Sequence, residues 1–159
     1  MTIDQIQPRP TNIHEALSRA KIAVGVIGKD DENEQQHYAF RGIDAIVNKV
    51  GPIFADLGIV VAPIHSLISS EETLSRNNAK GYRVVVETVW TFSVYVADLE
   101  GHEIEHTSEI VAQTLGESID YSDKAINQAQ TQSFKNALAQ VLTIPTGESD
   151  PDAVSPEQV

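Results

Sequence analysis

The sequence has no cysteine, which excludes disulfides and thiolate metal sites. It is also poor in cations: 11 lysines and arginines stand against 23 acidic residues, for a net charge of −12. Nucleic-acid-binding domains ordinarily carry a basic footprint, so any anion-binding surface on this chain has to be local. No apolar run is long enough to resemble a membrane span, and the N-terminus lacks the basic-then-apolar layout of a signal peptide. Both absences point to a cytoplasmic protein. There is no Gly-rich phosphate cradle: Lys80-Gly81 has the order reversed, and Thr146-Gly147 simply follows Ile-Pro. Nucleotide-binding fingerprints, paired carboxylates of nuclease type and internal repeats are missing as well. The expectation is a protein without catalytic residues, cofactor or metal.

The 159 residues, 41% of them hydrophobic, suit one domain with a modest core. Charge is unevenly spread. Lys29 to Glu34 nets −3 and Glu148 to Val159 nets −4, whereas Thr73 to Arg83 holds Arg76, Lys80 and Arg83 and no acid. Residues 1–10 read as a flexible arm, 11–145 as the domain, and 146–159 as an acidic disordered tail.

Thr11 or Asn12 can cap a first helix running to about Ile27, with Ile13, Leu17, Ala20 and Val24 as its apolar stripe and Gly28 as its stop. The acidic run to Gln36 reads as a loop. Tyr38 to Arg41 is a short extended piece before a second helix, from Gly42–Asp44 to Leu57, in which Pro52 predicts a kink or a break at Gly51. Ile59 to Ile68 reads as a strand near an edge because of Pro63. Tyr82 to Ala97 alternates: Tyr82, Val84, Val86, Thr88, Trp90, Phe92, Val94 and Val96 share one face, with Arg83, Glu87, Thr91 and Ser93 on the other. After a turn at Asp98–Gly101, Ile104 to Gln113 returns as a third strand. The fold class expected is α+β, a three-stranded antiparallel sheet with helices packed on one face.

The last helix is read from the stretch opening at Leu115 and closed by Pro145. At ~100° per residue Lys124, Gln128, Thr131 and Lys135 fall within about 60° of one another, with the two lysines about 16 Å apart. Ile126, Ala129, Ser133, Phe134, Ala137 and Val141 lie opposite. Two spaced cations with neutral groups between them suit an extended polyanion, although a solvated helix face has the same pattern. Asp120 and Asp123 suit capping of the helix start.

His102-Glu103-Ile104-Glu105-His106 matches the H-E-x-x-H zinc pattern, which works only on a helix. Here it opens an alternating strand, where residues four apart lie about 13 Å apart, too far for one metal. His14, His37 and His65 are isolated and take no role. Tyr38, Phe40 and Arg41 are either core aromatics beside a surface arginine or a phosphate contact with a base-stacking ring.

Gly116-Glu117-Ser118-Ile119-Asp120-Tyr121-Ser122-Asp123-Lys124-Ala125, continuing through Ala129, Lys135 and Leu138 and closed by Ile144 to Asp152, resembles the C-terminal signature of the ERF (essential recombination function) family. The similarity extends upstream through His37–Ile46 and Pro52–Val61, so it covers roughly Ile13 to Asp152. The family comprises phage and prophage single-strand annealing proteins. The resemblance implies ATP-independent binding of single-stranded DNA by rings or filaments of a homo-oligomer, in the cytoplasm of a bacterial host, within phage-type homologous recombination. A partner exonuclease or a host single-strand-binding protein is implied too. On this reading Lys124, Lys135 and Arg41 contact phosphate, Arg76, Lys80 and Arg83 are second-rank contacts, and Gln128 and Thr131 add neutral hydrogen bonds. The alternative is an acidic protein–protein adaptor with little or no DNA binding.

Overall fold

A computed structural model describes residues 9–27, 31–33, 38–40, 42–96 and 106–145. The expected arm up to residue 8, Arg41, the Asp98–Gly101 turn, His102–Glu105 and the tail from Thr146 lie outside these residues.

Helix α1 spans Ile13–Val24. Asn12 caps it, its side-chain oxygen accepting from Glu15 N at 2.9 Å. The Glu15 carboxylate reaches back to Thr11 N and Oγ1 at 2.9 and 2.7 Å, a reciprocal pair that satisfies the first-turn donors. The helix ends three residues earlier than the sequence suggests. Gly25, at φ +57°, donates its N–H to Lys21 O, so the first available glycine, not Gly28, closes it. The acidic run also departs from the loop reading: Asp31–Asn33 is strand β1, paired antiparallel with β2, Tyr38–Phe40.

Helix α2, Ile43–Leu57, is continuous through Pro52 and closed by Gly58 at φ +70°. It does not split at Gly51. Asn48 and Pro52 are both exposed, so the carbonyl left without a donor lies on the solvent side.

The sheet has the order β3–β4–β5, with β3 Ile59–Leu74, β4 Lys80–Val96 and β5 His106–Asp120, all antiparallel. Pro63 sits in an edge strand, as expected. On β4, Val84, Val86, Thr88, Trp90, Phe92 and Val94 are buried, and α1, α2 and α3 (Ala125–Val141) all cover that face. The α+β architecture expected from the pattern is the one observed. Strand β5 runs seven residues beyond Gln113, into a stretch whose Gly, Ser and Asp read as helix-start signals. Its alternation continues: Thr114, Gly116, Ser118 and Asp120 stand opposite Thr88, Val86, Val84 and Tyr82. The other face of the sheet has no cover among the described residues, and Val60, Ile64, Val111, Leu115 and Ile119 are exposed on it.

Helix α3 presents Ala125, Ala129, Ser133 and Ala137, all buried, at four-residue spacing toward β4 and β5. The small stripe lets the helix backbone come down onto Gly116. A Cβ there would lie 1.8 Å from the Ala129 carbonyl oxygen. Gly116→Ala should therefore cost about 3 kcal/mol or more in urea unfolding, at the upper end for overpacking. Adding Ala129→Gly should not restore stability, because the obstructing atom belongs to the backbone. Recovery in the double variant would mean that side-chain volume, not helix approach, sets the constraint.

Candidate nucleic-acid interface

The end of β5 and the start of α3 are tied by one carboxylate. Asp120 Oδ1 accepts from Ser122 N at 2.7 Å, Ser122 Oγ at 2.5 Å and Lys124 N at 3.3 Å. Its Oδ2 accepts from Gln128 Nε2 at 3.2 Å. The Ser122 hydroxyl, then the Ser122 and Lys124 amides and the Gln128 amide, hold its pKa below the ordinary 3.8. Asp120 therefore holds the turn that leads into the helix and the Gln128 side chain, whereas α3 itself has no side-chain cap, contrary to the capping expected of Asp120 and Asp123; no ion pair to the Lys124 side chain is among its contacts. Gln128 also receives Ser118 Oγ at 2.6 Å, so its amide is engaged inside the protein.

From this junction α3 runs outward as the sequence required, with two differences. Lys124 is the N-cap residue and Ala125 the first helical one. Ile126 is half exposed, whereas Leu138 is buried, so the packed stripe is displaced by part of a turn. Lys124, Gln128, Thr131 and Lys135 do come together. With Asn127, Gln132 and the start of α2 at Gly42 and Ile43, they line a groove of about 400 Å³. Gly42 provides no side-chain cap to α2, so the groove wall carries helix amides with no side-chain cap. Lys135 is partly buried and Lys124 exposed.

The other proposed cations lie on or beside the β3–β4 hairpin. Its turn is held by Ser75, which bonds to Ala79, Asn77 and Asn78, with Asn78 at φ +59°. Arg76 is exposed in this turn. Lys80 pairs with Glu72 at 3.1 Å and Arg83 with Glu117 at 2.6 Å. The Arg83 pairing raises the arginine's pKa and lowers that of Glu117. Register places Arg83 on the sheet face away from the helices and Lys80 on the helix side. The hairpin turn and the Asp120 junction share one end of the sheet, because Tyr82 stands opposite Asp120.

His106 heads β5, and the rest of the His102–His106 motif lies outside the described residues. Among the described residues no group of His, Asp and Glu could hold a metal, and no helix is long and apolar enough to cross a membrane. His65 bonds Thr88 Oγ1 at 2.8 Å on the flank of the core.

Gly116, the Asp120–Asp123 turn before the helix and the lysines at positions 124 and 135 are among the features on which the family resemblance rested. The ERF superfamily model matches residues 13–158. The chain belongs to the ERF superfamily. Membership supports a role of the phage recombination or strand-annealing type for this ERF protein. A search of curated proteins found no match.

Sequence reasoning missed Gly42 as a wall of the groove and read Tyr82 only as an inward residue. The adjacency of Gly42 to a helix start was a usable signal. The exposure of Tyr82, 47%, follows from α3 starting only at Ala125 and was not.

Glu15 titrates at about 2, chiefly because of its bonds to Thr11, and Asp120 also lies below its ordinary value. For depressed carboxylates, stability is fully present above the unfolded-state pKa and is lost as pH falls toward the folded one. Unfolding free energy should be level above about pH 5 and decline from about pH 4.5 to 2. Glu15→Gln and Asp120→Asn should each flatten that decline in chemical denaturation at stepped pH.

Proposed function

We propose that this ERF protein binds single-stranded DNA without sequence preference and anneals complementary strands, without ATP and without catalytic chemistry of its own. The observation that carries the reading is the groove with a lysine toward each end, neutral amides and a hydroxyl between them, and a helix start in its wall. Such a surface holds phosphates at intervals and leaves base edges to pair with a second strand. Lys124 and Lys135 are the principal phosphate contacts, with Arg41, which precedes Gly42 in sequence, as a third. Thr131 adds a neutral contact. Gln128 contributes by fixing the first turn. Arg76, Lys80 and Arg83 at the hairpin end are secondary contacts, two of them already neutralised by glutamates.

The working unit on this reading is a homo-oligomer, a ring or a filament. Each subunit spans few nucleotides, and β3 and β5 offer two edges of 16 and 15 residues for lateral pairing. The domain comprises residues 11–145. A partner exonuclease or host single-strand-binding protein and a bacterial cytoplasmic setting complete the proposal.

With about three phosphates neutralised per subunit, the log–log salt slope of binding should be near −2, since single strands give about −0.7 per contact. Lys124→Ala and Lys135→Ala should each cost less than about 0.5 kcal/mol of stability, weaken binding uniformly across sequences and make the slope shallower. A slope near zero would favour the adaptor reading. If both variants melt the protein and leave affinity unchanged, the groove is structural.

Sedimentation should show an assembly larger than one 17.3 kDa chain at micromolar concentration. A monomer with and without DNA would remove the oligomer from the proposal.

A further inference from the structure

We infer that a second, smaller notch on the other side of the first turn of α3 receives an unstacked nucleobase of the bound strand. The inference rests on the single-strand reading of the groove. The notch, about 280 Å³, is lined by Ser70, Tyr82, Val84, Ser122, Asp123, Ala125 and Ile126. Its walls are a tyrosine ring 47% exposed and an isoleucine 48% exposed, on β4 and α3 respectively.

The chemistry of the lining selects against phosphate and for a flat neutral group. The notch itself contains no cation, and Asp123 repels an anion. Tyr82, Val84, Ala125 and Ile126 supply an apolar slot, and Ser70 and Asp123 add polar groups to its lining, the Ser122 hydroxyl being engaged by Asp120. Lys124 flanks the notch on one side, and Lys80, in its pair with Glu72, lies on the other. Lys124 lies between two of its lining residues and itself lines the phosphate groove. Lys80 lies two residues before Tyr82, on the same face of the strand. A strand running from the groove across the start of α3 to the hairpin would meet the Lys124 cation, the aromatic slot and then Lys80 in its pair with Glu72. That order matches alternating phosphate and base contacts on single-strand platforms, where an aromatic stack contributes through the π-face that every base has.

The experiment compares binding of a thymidine oligonucleotide with binding of an oligonucleotide of the same length and charge that carries abasic sites. Measurements use wild type, Tyr82→Ala, Tyr82→Phe, Ile126→Asp and the Lys124→Ala/Lys135→Ala double variant. The wild-type chain should prefer the base-bearing strand by about tenfold or more, as one stack implies. Tyr82→Ala should lose that preference while binding the abasic strand as wild type does, Ile126→Asp should lose it while weakening both strands through its added charge, and Tyr82→Phe should keep it. Ile126→Asp alters an exposed helix position and carries the test if Tyr82→Ala does not fold. If Tyr82→Ala and Ile126→Asp keep the preference while the lysine double variant loses both strands, the notch is not a base site and the annealing reading stands. If wild type binds neither strand at low salt, the annealing reading fails and the inference with it.

Discussion

The contact between the backbone of α3 and Gly116 governs the architecture. A helix that rests its Ala129 carbonyl where a side chain would otherwise be has little freedom to slide, tilt or rotate. Ala125, Ser133 and Ala137 extend the close approach along the rest of the helix. Because the buried stripe is fixed, so is the outward one, and Lys124 and Lys135 are delivered to the same groove. The site is thus a consequence of where small residues were placed on the opposite side of the helix.

Polar groups beneath the helix strengthen the same arrangement. Trp90 Nε1 donates to Thr114 Oγ1 at 3.0 Å, and that hydroxyl bonds the Ser133 carbonyl and hydroxyl at 3.0 and 2.7 Å. Phe134 stacks on Trp90 with ring centroids 4.8 Å apart. Among the described residues no buried side-chain polar atom lacks a partner, so this network fixes one helix register without leaving a desolvated group unpaired. At the far end Asp120 gathers four donors and fixes where the helix begins. At one end of the sheet Lys80 and Arg83 are offset by Glu72 and Glu117, while Lys124 and Lys135 share one helix face.

Much of this was legible from residue patterns. The alternation of β4 identified its buried face residue by residue, from Val84 to Val94, and the α1 stripe at Ile13, Leu17, Ala20 and Val24 was read correctly. The eleven-residue interval between Lys124 and Lys135 put both lysines on one helix face, and both line one groove. The failures have a common cause: local signals that serve more than one structure. Gly116, Ser118 and Asp120 resemble a helix start, yet they prolong a strand because pairing with β4 satisfies their backbone and small side chains admit α3. Asp31–Asn33 looked like a solvated acidic loop because a three-residue strand has too short a pattern to register. Ile126 was assigned to the core from helical phase alone, whereas the stripe against the sheet is set by Ala and Ser. The groove wall at Gly42 depends on α2 meeting α3, a contact between segments some eighty residues apart that no local pattern encodes.

Trp90 gives the molecule an internal optical reporter. It is the one tryptophan of the chain, 4% exposed, held edge-on to His65 and stacked on Phe134 of α3. Its emission therefore reads the seating of the last helix on the sheet and not the occupancy of the lysine groove, whose lining excludes it. Loss of ligand binding and loss of helix docking are consequently separable in a single cuvette. Because Trp90 does not line the groove but stacks on Phe134 of α3, a shift of the helix on ligand binding would be read in its emission.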